Sequence, residues 1–162
     1  DVAINNFPES LEKLNLNMCE KILAFNINHL VNLREIYCDS SAITDTAINT
    51  MPVSLKRIDS RSCKNISDFN INHLVNLKKI DCSGSPVTNS AINIFPDFLE
   101  RINLRGCQNI SDFNISHLVN LKQINYIEYD PNDISDEYES LREEWASEED
   151  YDDDDSIIDE LW

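Results

Sequence analysis

The stretch CKNISDFNINHLVNLKKIDC, from Cys63 to Cys82, sets a cysteine, a histidine and a second cysteine within twenty residues. Thiolate and imidazole are preferred zinc ligands, and a cysteine with a nearby histidine is also the pair that activates a sulfur nucleophile. Much the same text stands at 19–38 as CEKILAFNINHLVNLREIYC and at 107–126 as CQNISDFNISHLVNLKQINY. The candidates are therefore Cys19, Cys38, Cys63, Cys82 and Cys107 with His29, His73 and His117. Their spacing decides whether the chain repeats a chemistry or a shape.

The repeat is strict. Ala3-Ile4-Asn5, Ala47-Ile48-Asn49 and Ala91-Ile92-Asn93 lie 44 residues apart, and within that period Leu11, Leu33, Leu55, Leu77, Leu99 and Leu121 fall 22 apart without slippage. Three residues after each leucine comes another aliphatic: Leu14, Ile36, Ile58, Ile80, Ile102 and Ile124. Two further on stand Leu16, Cys38, Ser60, Cys82, Leu104 and Tyr126, and three beyond those Cys19, Ser41, Cys63, Ser85, Cys107 and Tyr129. The first part of each unit alternates like a short strand with one buried face. Asp45, Ser67, Asn89 and Ser111 then occupy equivalent positions suited to a helix N-cap, followed by Phe69, Ile71 and Leu74 or Phe113, Ile115 and Leu118 at helical spacing. A short helix is expected in each unit, stopped in alternate units by Pro8, Pro52 and Pro96.

The pattern L-x-x-L-x-L-x-x-[N/C]-x-[L/I] is that of a leucine-rich repeat. At LERINLRGCQNISDFNI, residues 99–115, the text resembles the cysteine-containing subclass known from F-box/leucine-rich-repeat proteins. The resemblance covers about residues 1–126 and implies an α/β solenoid, a right-handed horseshoe of about six 22-residue repeats. The Asn/Ile-rich, Gly-poor text is also similar to repeat families of protists and giant viruses of amoebae. Ala3 matches Ala47, so Asp1 is expected to lie late inside a repeat. The expected organisation is a solenoid over 1–130, a helical C-terminal cap over 131–146 and an acidic tail over 147–162.

Stacked repeats separate the candidate ligands. Neighbouring strands are about 4.8 Å apart, so residues of one register two repeats apart are ~10 Å apart. A disulfide needs Cα atoms within about 7 Å, and zinc needs all its sulfurs at about 2.3 Å from one point. Cys19, Cys63 and Cys107 fail both tests, and so do Cys38 and Cys82 as a pair. The five thiols read as small buried side chains, and unpaired thiols suit a reducing compartment, cytoplasm or nucleus. The histidines are expected at the ends of the outer helices, exposed or hydrogen-bonded locally. With only Gly84 and Gly106 there is no glycine-rich phosphate loop, and neither G-x-S-x-G nor H-E-x-x-H occurs. No cofactor, metal site or enzymatic activity is expected.

Binding is the remaining function. Strand side chains that point away from the core form ladders. One reads Lys13, Glu35, Arg57, Lys79, Arg101, Gln123; the next Asn15, Tyr37, Asp59, Asp81, Asn103, Asn125; a third Asn17, Asp39, Arg61, Ser83, Arg105, Ile127. Ten of the twelve basic residues of 1–125 fall on or beside these strands. Polar residues must face water somewhere, and this side is one such place. The functional alternative is a partner surface of Tyr37, Arg57, Asp59, Arg61, Lys79, Asp81, Arg101, Asn103 and Arg105, which in this repeat class would line the concave face. Arginine suits a carboxylate-bearing protein partner because its fork binds bidentately.

The charge of −17 is unevenly shared: residues 126–162 hold 17 acidic residues and one basic residue, Arg142. Such a tail repels nucleic acid. It reads either as a solubilising segment or as a motif for basic proteins, anchored by Tyr151 and Trp162 around Asp152–Asp155, with a further option that it folds back on the basic strand face. Ile134, Tyr138, Leu141 and Trp145 share one helical face, which motivates the cap. No run of about 18 apolar residues suggests a membrane span. The expected function is a protein–protein interaction module; the F-box resemblance suggests a substrate-recognition fragment of a ubiquitin-ligase-type protein. The alternative is a chaperone or decoy for basic proteins such as histones, an order of parts similar to the acidic leucine-rich nuclear phosphoproteins.

Overall fold

A computed structural model describes residues 4–23, 25–111 and 113–126. The expected cap over 131–146, the tail with Tyr151 and Trp162, and Ala3, Ile127 and Tyr129 lie outside the described residues. Within them the chain forms a parallel β-solenoid. Six three-residue strands, β1 (Lys13–Asn15), β2 (Glu35–Tyr37), β3 (Arg57–Asp59), β4 (Lys79–Asp81), β5 (Arg101–Asn103) and β6 (Gln123–Asn125), lie side by side in sequence order. Each pairs in register with the residue 22 positions on, as Ile58 with Ile80 and Ile80 with Ile102. The solenoid expected from the repeat is observed.

The register follows from burial. Ile36, Ile58, Ile80 and Ile102, the middle residues of β2 to β5, are fully buried, as are Leu33, Leu55, Leu77 and Leu99. Full burial of each such side chain contributes about 1.5–3 kcal/mol, and a slip of one residue would turn every isoleucine outward. Phe25, Phe69 and Phe113 alternate with Ala47 and Ala91 in one register. Large and small side chains thus interleave between neighbouring turns, which is why the true period is 44.

Among the described residues, α-helices form only on the alanine turns, α1 (Asp45–Asn49) and α2 (Asn89–Ile92). The expected helices after Ser67 and Ser111 are absent among the described residues. The N-caps are Thr44 and Thr88, not Asp45 and Asn89, which are the first helical residues. The reason is where the side chains of the alanine turns go. The Asp45 carboxylate accepts from the Ser67 N–H at 2.8 Å and the Asp68 N–H at 3.3 Å, and Asn49 Oδ1 accepts from the Asn70 N–H at 2.6 Å. Asn89 Oδ1 and Asn93 Oδ1 do the same for Ser111 and Asn114. Within the phenylalanine turns Asn26, Asn70 and Asn114 close Asx turns onto the N–H two residues on. Backbone donors met by side chains need no helix.

Strands β1 to β5 are each followed by a turn in which the third residue after the strand has positive φ: Met18 (59°), Ser40 (56°), Ser62 (53°), Gly84 (68°) and Gly106 (66°). The N–H groups of Met18, Ser40, Ser62 and Gly84 each donate to the neighbouring turn, at 2.7–2.8 Å. The left-handed conformation is therefore clamped by pairing and costs a non-glycine residue about 1–2 kcal/mol. A Cβ on Gly84 would also meet Ser62 Oγ at 3.4 Å. Gly84→Ala should therefore lower stability by about 1–2 kcal/mol, while Ser62→Gly should raise it by about 0.5–1 kcal/mol. Both read as shifts of the urea midpoint at unchanged slope; equal midpoints would contradict the strained turn.

Candidate functional site

The cysteines belong to two ladders in which serine and cysteine alternate. Cys38, Ser60 and Cys82 form one; Cys19, Ser41, Cys63, Ser85 and Cys107 form the other. Cys63 Sγ donates to the Cys38 carbonyl at 2.9 Å, Ser85 Oγ to the Ser60 carbonyl at 2.8 Å, and Cys107 Sγ to the Cys82 carbonyl at 3.1 Å. Each closes the bend after a strand of the preceding turn. Since the Cys63 proton points at Cys38, its sulfur accepts from Ser41 Oγ at 3.6 Å. The position requires a small side chain with one donor, and cysteine and serine both supply it. All five thiols are free. Burial pushes the Cys38, Cys63 and Cys82 thiols up and Cys107 up to about 12; Cys19, half-buried, is raised as well. These are protonated core groups.

The histidines stand on the phenylalanine turns rather than on helices, and their bonds are not local. His29, His73 and His117 Nε2 reach the carbonyls of Phe7, Met51 and Phe95, each 22 residues back, at 3.1, 3.0 and 3.1 Å. A carbonyl only accepts, so each ring carries its proton on Nε2. The residues of the Cys63–Cys82 stretch thus tie turns together.

The outward strand face is the remaining candidate. The pairing sets Glu35, Arg57, Lys79 and Arg101 beside one another in one row and Tyr37, Asp59, Asp81 and Asn103 in the next. The Arg57 guanidinium lies 5.3 Å from the Tyr37 ring centre, and the Tyr37 hydroxyl donates to Glu35. Arg61 Nε binds Asp59 Oδ1 at 2.9 Å, and its Nη2 lies 3.9 Å from Asp39 Oδ2. Arg57, Arg61, Lys79, Arg101 and Tyr37 are partly exposed.

Asp59, Asp81, Asn103 and Arg105 are buried. Asp59, Asp81 and Asn103 close Asx turns onto the N–H groups of Arg61, Ser83 and Arg105 at 3.4, 2.9 and 3.2 Å. Asp81 Oδ2 also accepts from Asn103 Nδ2 at 3.0 Å. Burial raises the Asp81 carboxyl above the usual aspartate range, and the Asp59 charge adds to that; Ser83 and Asn103 pull against it. Sequence reasoning placed these residues on the outward face and missed their turn-closing role. The signal was there: an Asp or Asn at the last strand position, two residues before an N–H in a bend, is an Asx turn.

No family model matches the chain, and no curated protein matches it. Among solved structures, the functional domain of InlJ from Listeria monocytogenes, which includes a cysteine ladder, is 17% identical with a TM-score of 0.39. The match covers 75% of this chain and 37% of that one, so this chain spans well under half of that structure's length.

Two outcomes follow from the site chemistry. At pH 8 a thiol reagent should modify Cys19 quickly and the other four only on unfolding. Because the folded thiols titrate above the unfolded value of 9.0, the stability they contribute is complete below pH 9 and declines as pH rises beyond it. Fast labelling of more than one thiol in the folded protein would refute the buried ladders. For Asp81 the folded carboxyl is raised, so its burial weakens the fold at neutral pH and is relieved as pH falls. The melting temperature of the wild type relative to Asp81→Asn should therefore rise on acidification, while Asp81→Ala should cost about 1–3 kcal/mol by stranding the Ser83 N–H.

Proposed function

We propose that the chain is a protein-interaction module that engages its partner on the outward face of the six-stranded sheet. Tyr37, Arg57, Arg61, Lys79 and Arg101 are the contact residues, and Asp59, Asp81, Asn103 and Arg105 shape the strand ends that hold them. The observation carrying this reading is the Glu35–Tyr37–Arg57 and Asp39–Asp59–Arg61 arrangement. It holds two guanidinium groups in fixed positions while leaving them partly exposed. Arginines fixed in advance lose little side-chain entropy on binding, and their forks match carboxylates. The partner is therefore a protein segment bearing Asp or Glu. The work is binding, with no cofactor in it.

In finer detail, the resemblance at 99–115 supports a substrate-recognition fragment of a ubiquitin-ligase-type protein. Free thiols favour a cytoplasmic or nuclear setting; since four of the five are buried and poorly ionised, that inference rests chiefly on Cys19. A second reading makes the acidic tail the active part, binding basic proteins such as histones through Asp152–Asp155 with Tyr151 and Trp162 as anchors. The 17 acidic residues of 126–162 favour it.

Affinity capture from a eukaryotic lysate tests both, using the full chain, the chain ending at residue 146 and Arg57→Glu/Arg101→Glu. Partners lost only from the charge-reversed variant assign binding to the strand face, and ligase components among them support substrate recognition. Partners lost only on removal of 147–162, with a steep salt dependence, assign it to the tail and overturn the strand-face reading.

A further inference from the structure

We propose a second interaction surface, a stripe along the loops that lead into the strands, which takes an acidic amphipathic helix of a partner protein. Val31, Val53, Val75 and Val119 stand in one register, each two residues ahead of a core leucine. They are 57%, 55%, 50% and 77% exposed, whereas Leu33, Leu55 and Leu77 are wholly buried. Glu9 and Asp97 fill the other two places in that register, Glu9 before the first valine and Asp97 between Val75 and Val119, where Phe98 beside it is 42% exposed. Single exposed apolar residues need no explanation; a contiguous line of them marks an interaction site.

The line is continuous because neighbouring loops are bonded to one another. Asn32, Asn76 and Asn120, each following a valine, donate through Nδ2 to the carbonyls of Glu9, Val53 and Asp97 at 3.0, 2.9 and 2.9 Å. The backbone and the asparagines hold these loops. The valine side chains stand outside the core that the fold requires.

Cations border the stripe. Three residues after each valine stand Arg34, Lys56, Lys78 and Lys122. Arg34 reaches the Ser54 carbonyl and Lys78 the Phe98 carbonyl, both at 3.5 Å, so each leans onto the loop that carries the next apolar side chain. Two acids share that row, Glu12 ahead of Arg34 and Glu100 between Lys78 and Lys122, and Glu100 is bridged by Lys122 at 2.6 Å and Lys78 at 3.2 Å. The complement of an apolar line edged with cations is an apolar line edged with acids.

Pitch selects a helix. Successive loops rise by about 4.8 Å, close to the 5.4 Å turn of an α-helix; side chains on one face of an extended strand recur at about 6.6 Å. From Val31 to Val119 is four rises, roughly 19 Å, which a helix of about 13 residues covers. The partner therefore presents apolar residues at i, i+3/i+4 and i+7 with Asp or Glu alongside. This surface is independent of the strand-face reading.

The probe is a labelled 14-residue peptide with leucines along one helical face and glutamates elsewhere, titrated into the full chain by fluorescence anisotropy. Saturable binding is expected. It should weaken at least tenfold in Val53→Ser/Val75→Ser and in Lys56→Glu/Lys78→Glu, and change less than twofold in Arg57→Glu/Arg101→Glu. All variants should keep the wild-type circular dichroism spectrum, since none of the replaced side chains is buried in the core. Absence of saturable binding would overturn the proposal. So would equal binding of a peptide with glutamine for glutamate, or a loss confined to the Arg57/Arg101 variant.

Discussion

Each turn of this solenoid leaves backbone groups that only the neighbouring turn can satisfy. The strands are three residues long, far too short to stand as separate pairs, so the polar groups of the bends between them decide whether the stack closes. The sequence meets that demand with side chains placed at fixed offsets. Asp45, Asn49, Asn89 and Asn93 accept from N–H groups of the following turn. His29, His73 and His117 donate to carbonyls 22 residues back. Cys63, Ser85 and Cys107 donate to carbonyls 25 residues back. Asparagine, histidine and cysteine, the residues that look most like chemistry in the sequence, are the fastenings between turns.

That constraint explains why the repeat is exact over its length. A residue inserted in one turn would displace not only an isoleucine from the core but also every cross-turn bond on either side. It also explains the alternation within 44 residues. A helical turn with Ala47 or Ala91 supplies the acceptors, and the phenylalanine turn beside it uses them in place of a helix. Phe69 and Phe95, with ring centres 5.8 Å apart, fill the space between the two kinds of turn.

The fold was legible because its signal is periodic: Leu33, Ile36 and their equivalents set strand, register and core at once. The helices after Ser67 and Ser111 were misread because Ser111-x-Phe113-x-Ile115 has helical spacing and a good capping residue. What overrode that local preference was Asn89 and Asn93, one turn away in space but 20 or more residues away in sequence. The strand face was legible in outline, since alternation places Arg57, Lys79 and Arg101 outward. Its interior was not, because Asp81 points outward by parity yet is buried by its neighbours. Parity gives direction, and burial depends on what stands beside the residue in the next turn.

The same distinction separates residues that hold the protein from those left over for a partner. Where a polar side chain recurs every 22 or 44 residues and bonds to the adjacent turn, the fold accounts for its type. Arg57, Arg61 and Arg101 vary along their rows, between Glu35 and Gln123 or between Asp39 and Ser83, so stacking does not dictate them. The exposed valines differ again: they recur at four of the six places in their register, with Glu9 and Asp97 at the other two, yet Val31 and Val119 are more than half exposed. Periodicity without burial is what a repeat surface that meets another molecule should show, since a partner lying across the turns touches the same position of each one.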